Sequence, residues 1–220
     1  MKIAAFAEKI PAALGPRSGK VFYSGRKAFS APSPLYVLGV NPGGAPTNHA
    51  AETVEIHTRQ VLHTLPEDWS AYRDESWEGT APGTYGMAPR VLHLFSALGL
   101  NPGTVPCSNL VFVRSRREND IKDESLSLAE SCWPFHEFAM QQLRPRVVLC
   151  FGKTAGNFLR RKLGANTPAG EFVEENNRRW RSQAFANSRG VKVVVATHPS
   201  IADWSCRNTD PSRLVKEALK

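Results

Sequence analysis

Short apolar runs without a charged residue recur along the chain, each halted by polar or turn residues. The first covers residues 35–40 (Leu, Tyr, Val, Leu, Gly, Val) and stops at Asn41-Pro42-Gly43-Gly44. Runs of this length between turn residues suit strands buried on both faces, as in a parallel sheet. Similar runs at 110–113, 147–151 and 191–196 predict three more strands, the second with Asn109 at its start. Helical periodicity fills the intervals. Residues 52–65 have a helical pattern. Val91, Leu92, Leu94, Phe95 and Leu98 form one apolar stripe, with Gly99 as its C-cap. Further helices are expected at 126–143, ended by Arg144-Pro145, at 153–163, ended by Gly164, and at 211–220. Residues 180–185 predict an extra edge strand.

Strands that alternate with helices imply an α/β fold, a three-layer α/β/α sandwich around a central parallel sheet. The whole chain, 1–220, reads as one domain. Its first 34 residues form an N-terminal extension in which 20–23 and 27–29 suggest a small hairpin or an irregular cap. Residues 69–85 are rich in aromatics, glycine and proline and read as a long loop over a site. Open α/β sheets bind ligands beyond the carboxyl ends of their strands. Two such ends carry polar residues here, Asn41 after the first strand and His198 after the last. If the two strands lie close together, these side chains share one cleft.

Composition narrows the partner. A net charge of +8 favours a polyanion, nucleic acid first. No apolar run approaches the ~18 residues of a membrane span, and the start is charged too early for a secretory signal, so a cytoplasmic protein with no membrane partner is expected. The cysteines, Cys107, Cys132, Cys150 and Cys206, contain no C-x-x-C pair and are expected to be reduced thiols. Gly152-Lys153-Thr154 is not a P-loop, because Val147 stands where the first glycine of the phosphate cradle belongs. His57 and His63 lack a third ligand at useful spacing; they are expected on the surface of a helix, and no metal site is expected.

The informative motifs occur in a fixed order. They are Gly39-Val40-Asn41-Pro42-Gly43, then Ser108-Asn109-Leu110-Val111, then Leu143-Arg144-Pro145-Arg146-Val147-Val148 leading to Gly152-Lys153-Thr154-Ala155, then His198-Pro199-Ser200. From about residue 35 to 202 this set resembles the uracil-DNA glycosylase superfamily, its first motif being most like the mismatch-specific branch. The resemblance implies a parallel four-stranded sheet and hydrolysis of the N-glycosidic bond of uracil or a related damaged base flipped out of DNA.

By that resemblance, His198 donates to O2 of the departing base, and Asn41 positions the attacking water. An amide orients water but is too weak a base to take its proton. Gly39, Val40, Gly43, Tyr85 and Asn109 would bind the base. Asn109 would read O4 and N3–H with one donor and one acceptor, and Tyr85 would stack on the ring. Gly43 stands where stricter relatives carry a tyrosine that collides with thymine's methyl group, so a broader base range is implied. Lys153, Ser200 and Ile201 would contact DNA. Arg114, Arg116, Arg117, Arg160, Arg161 and Arg178-Arg179-Trp180-Arg181 are further candidates for phosphate and stacking contacts. The iron–sulfur branch of the superfamily uses four cysteines, of which only Cys132 has a counterpart, so no cofactor is expected. The leucine wedge of the family is replaced by Ala202, with Ile201 or Trp204 as substitutes. A monomer acting on DNA is implied; the alternative is a catalytically weak or inactive nucleic-acid-binding member of the same fold.

Overall fold

A computed structural model describes residues 2–77 and 79–220. The elements follow as α1 (Ala4–Ala7), β1 (Leu35–Gly39), α2 (Val54–His63), α3 (Ala71–Asp74), α4 (Ala88–Ala97), β2 (Cys107–Asn109), α5 (Ser125–Leu143), β3 (Val147–Phe151), α6 (Lys153–Leu163), β4 (Thr167–Val173), β5 (Arg181–Ala186), β6 (Lys192–Ala196) and α7 (Ser212–Ala218). The sheet order is β2-β1-β3-β6-β5-β4. β2, β1, β3 and β6 are mutually parallel, while β5 pairs antiparallel with β6 and β4 with β5.

The sheet is therefore mixed and six-stranded rather than parallel and four-stranded. Three of the four expected strands, at 35–40, 147–151 and 191–196, lie in its parallel part, and the fourth parallel strand is Cys107–Asn109, just before the expected run at 110–113. The run at 180–185 is a strand, but it lies inside the sheet, and the edge is β4. No apolar run announces β4: its first five residues are exposed, Pro168 and Gly170 interrupt it, and a register shift falls between them. Edge strands tolerate such irregularities because one side makes no ladder.

Alternation along each core strand feeds two separate cores. Tyr36, Leu38, Val148, Cys150, Val193 and Val195 pack on one face with side chains of α1, α2, α5 and α6. Leu35, Val37, Val147, Leu149, Phe151, Val194 and Ala196 pack on the other with those of α3, α4 and α7. Burial on both faces is why these strands read as unbroken apolar runs. No helix among the described residues is long and apolar enough to cross a membrane.

Three local expectations change. The second strand is Cys107–Asn109, so Asn109 ends it and does not start it. Residues 110 and 111 still bond to β1's continuation, Leu110 N–H to Gly39 O at 2.9 Å and Val111 N–H to Val40 O at 2.8 Å. The N-terminal segment forms no hairpin and is no appendage. Residues 18–24 run antiparallel against four separate partners, Phe22 opposite Ser108 and Gly19 opposite Val113 among them. They thereby cover the free edge of β2. Phe6, Phe22 and Phe29 are fully buried, and Phe6 and Phe22 pack on Phe135 of α5. Finally, His57 is not on the surface; it is 3% exposed and lies against Trp69.

Two buried histidines follow from this packing. His136 of α5 donates from Nε2 to Leu110 O at 3.1 Å, so its Nδ1, 3.0 Å from Tyr36 Oη, accepts from that hydroxyl. Burial pushes its pKa down to about 4, against the pull of its carbonyl bond. His57 is lowered to about 3 by burial, with Lys20 and Arg114 nearby. Both are neutral when folded and become charged near pH 6.5 when unfolded. Their contribution is complete above that pH and is lost as pH falls. Urea unfolding across a pH series is expected to show stability declining from about pH 6.5 toward 4, by up to about 3 kcal/mol for His136 alone. A His136→Gln variant should show a shallower decline, whereas an unchanged slope would overturn this account.

Candidate active site

All four parallel strands deliver residues to one open cleft of about 970 Å³ at their carboxyl ends. Asn41 follows β1, Asn109 closes β2, Gly152 and Lys153 follow β3, and His198 follows β6. β1 has β2 on one side and β3 on the other, so the chain order reverses there, at the usual position for a ligand site.

Asn41 is held by its amide nitrogen. Nδ2 donates to Pro42 O at 2.9 Å and to Ser115 Oγ at 2.8 Å. Ser115 in turn donates to Arg117 O at 2.8 Å. With the nitrogen spent on these acceptors, Oδ1 is the end of the amide left to accept a hydrogen bond. The following turn is anchored by Arg114, whose guanidinium donates to Gly43 O and to Glu52. Gly43 lines the cleft, and a Cβ placed there would meet no atom within 4 Å.

Asn109 is paired in register with Gly39. Its side chain lies so close over β1 that a Cβ on Gly39 would sit 2.1 Å from Oδ1. Only glycine leaves room for this approach. Asn109 is 4% exposed, and its Nδ2, beside the Tyr23 hydroxyl, makes no hydrogen bond of good geometry. A buried, unpaired donor at a cleft wall is costly unless a ligand satisfies it.

His198 has a defined tautomer. Its Nδ1 accepts the backbone N–H of Ser200 at 3.0 Å and lies 2.8 Å from Ser200 Oγ. A backbone N–H only donates, so Nδ1 carries no proton and Nε2–H is the ring's donor. Burial holds the His198 pKa below its ordinary value, opposed by the charge of Glu118. Glu118 also lines the cleft and accepts from Thr154 Oγ1 at 2.5 Å.

The loop after His198 is braced. Arg90 donates to Pro199 O at 2.5 Å and Arg178 to Ile201 O at 2.7 Å. Ala202 and Trp204 are fully buried, with Trp204 Nε1 bonded to Thr197 O, whereas Ile201 is 55% exposed. Ile201, not Trp204, is thus the side chain free to project from this loop. Arg116, Arg117, Lys153, Arg179 and Arg181 line the cleft together with Trp180.

Of the residues expected at the site, Gly39, Val40, Asn41, Gly43, Asn109, Lys153, His198, Ser200 and Ile201 all line this cleft. Tyr85 does not. It lines a neighbouring pocket, and the cleft's own side chains from this quarter are Met87 and, from the N-terminal segment, Tyr23. Arg114 is 2% exposed and serves the turn, not the surface. Ser115, Glu118 and Tyr23 were missed, the first two because they sit in a loop that reads only as charged. Tyr23 belongs to a segment without periodicity, and nothing in the sequence marks it as part of the site. Models of known protein families do not match this chain, and neither do curated proteins.

The tautomer is measurable. Long-range ¹H–¹⁵N spectra of the imidazoles should show His198 as the neutral Nε2–H form at pH 7, titrating below 6.5. A His198 resonance that is already cationic at pH 7 would overturn the assignment.

Proposed function

We propose that this protein is a monofunctional DNA glycosylase of the uracil-DNA glycosylase type, acting as a monomer on a base flipped into the cleft. The observation that carries the reading is the pairing, in one cleft, of an Nε2–H donor on His198 with the free amide oxygen of Asn41. The ordered motifs shared with that superfamily, the net charge of +8 and the basic residues at the rim support it.

The reaction replaces the bond between the base nitrogen and C1′ by a bond from C1′ to water oxygen. As the glycosidic bond breaks, its electron pair goes to the base and negative charge collects at O2. His198 stabilises that charge as a hydrogen-bond donor. Because it starts neutral in a partly desolvated site, it acts without first being protonated. The sugar becomes cationic, and the water aligned by Asn41 Oδ1 adds to it. Its proton leaves to solvent, since an amide does not hold one. Glu118 adds negative charge near His198 and so also favours a cationic sugar. The unpaired Nδ2 of Asn109 suits a carbonyl on the base edge.

The test uses labelled oligonucleotides carrying uracil, hypoxanthine, xanthine or ethenocytosine, single-stranded and paired, followed by alkaline cleavage of abasic sites. Cleavage is expected with the wild-type chain. It should fall on the order of 10²-fold in Asn41→Ala and 10²–10³-fold in His198→Ala. Binding without cleavage on every substrate would leave a nucleic-acid-binding protein and remove the glycosylase. A Gly43→Tyr variant tests the pocket. Open space at this Cβ predicts a folded protein that keeps activity on uracil and loses it on bases with a 5-substituent. Equal loss on both would overturn the role given to Gly43.

A further inference from the structure

Beside the cleft lies a second pocket, lined by Gly44, Thr47, Asn48, Trp77, Tyr85 and Arg116. Two connections join it to the first. Arg116 lines both, and Gly43 of the cleft is followed directly by Gly44 of the pocket. Two of its lining side chains are aromatic, Trp77 and Tyr85. Trp77 stacks on His49 with centroids 4.9 Å apart, and Tyr85 lies 6.4 Å from Trp77 with the rings 25° from parallel. Tyr85 is 45% exposed.

Trp77 is held in place. Gly44 has φ +99, and a Cβ there would fall 2.8 Å from His49 and 3.0 Å from the Trp77 ring. The Arg114 guanidinium lies 5.9 Å from that ring. The chain thus gives up a side chain at Gly44 to seat a flat ring against its backbone. A rigid aromatic face stacks any nucleobase, because every base has a π surface. Trp77 and Tyr85, with centroids 6.4 Å apart and planes 25° from parallel, together offer a nearly continuous aromatic surface on which a planar base can stack. Arg116 supplies a positive charge for the phosphate joining this base to the one in the cleft.

We propose that this pocket is a stacking site for the nucleotide next to the flipped base, and that the protein's substrate strand is therefore single-stranded over at least these two nucleotides. The proposal rests on the DNA reading of the main cleft and adds to it a contact that is independent of catalysis.

The test is fluorescence anisotropy with an end-labelled homothymidine 12-mer and with a 12-mer of abasic spacers that keeps the phosphates. Trp77→Ala is expected to weaken binding of the thymidine strand roughly ten-fold, with Tyr85→Ala in the same direction. Both should bind the abasic strand within about two-fold of wild type, and Trp77→Phe should recover most of the loss. The abasic strand also guards against misfolding, since a variant that fails to fold loses both ligands. In that case Tyr85→Ala and Trp77→Phe decide. Wild-type affinity for the thymidine strand in Trp77→Ala and Tyr85→Ala overturns the proposal, as does equal loss on both strands in folded variants. A chain that cleaves no base yet shows Trp77-dependent binding keeps this site and loses the glycosylase. A chain that cleaves uracil with unchanged Trp77→Ala binding keeps the glycosylase and loses this site.

Discussion

The site depends on a buried set of charges that ties five stretches of chain together. Arg114 and Lys20 are each only 2% exposed. Arg114 bonds Glu52 and the Gly43 carbonyl; Lys20 bonds Glu75 and lies 3.2 Å from Glu52. Burial alone would push the Lys20 pKa down, but Glu75, Tyr23 and Glu52 outweigh it and raise it. The ion pairs therefore hold throughout the neutral range, and Lys20's contribution is lost as pH rises from the ordinary lysine value through its raised pKa. Cutting out one partner of such a group leaves an uncompensated buried charge, typically a cost of about 3–5 kcal/mol. Through Gly43 the network sets the turn that follows Asn41. Through Arg114 it also supports Trp77 and hence the second pocket.

Around that anchor, the chemistry is built by using up the wrong ends of ambiguous side chains. Asn41 has its nitrogen bound to Ser115 and Pro42, which leaves the oxygen. His198 has Nδ1 bound by Ser200, which leaves Nε2–H. Asn109 is the reverse case, a donor left unpaired, pressed over a glycine that exists to admit it. Each fixed orientation removes a reorganisation that would otherwise accompany the reaction. The basic rim and Glu118 act in opposite senses, the rim drawing in phosphate and the carboxylate favouring positive charge within.

Much of the fold was legible in the sequence because its strands are buried on both faces. β3 and α6 lie where their residues predict, at Val147–Phe151 and Lys153–Leu163. β4 was not legible: an exposed edge strand has no apolar alternation to read. Asn41 and His198 were legible as candidates because a polar residue directly after a buried strand must lie at the sheet's edge. Tyr85 was misplaced because the loop that carries it has no period from which a direction could be taken.

Local spacing in the chain was enough to place β1, β3, β6 and the longer helices, to make their sheet parallel, and to set Asn41 and His198 just beyond strand ends. Those properties rest on local spacing of apolar side chains and on turn residues. Packing, and nothing local, makes Arg114 an internal anchor, sets Ser115 against Asn41, brings Tyr23 to the cleft and turns Tyr85 toward a second pocket with Trp77. Each of these depends on contacts between residues far apart in the chain, such as Arg114 with Gly43 and Asn41 with Ser115. No local periodicity encodes such pairings; they exist only once the layers have packed.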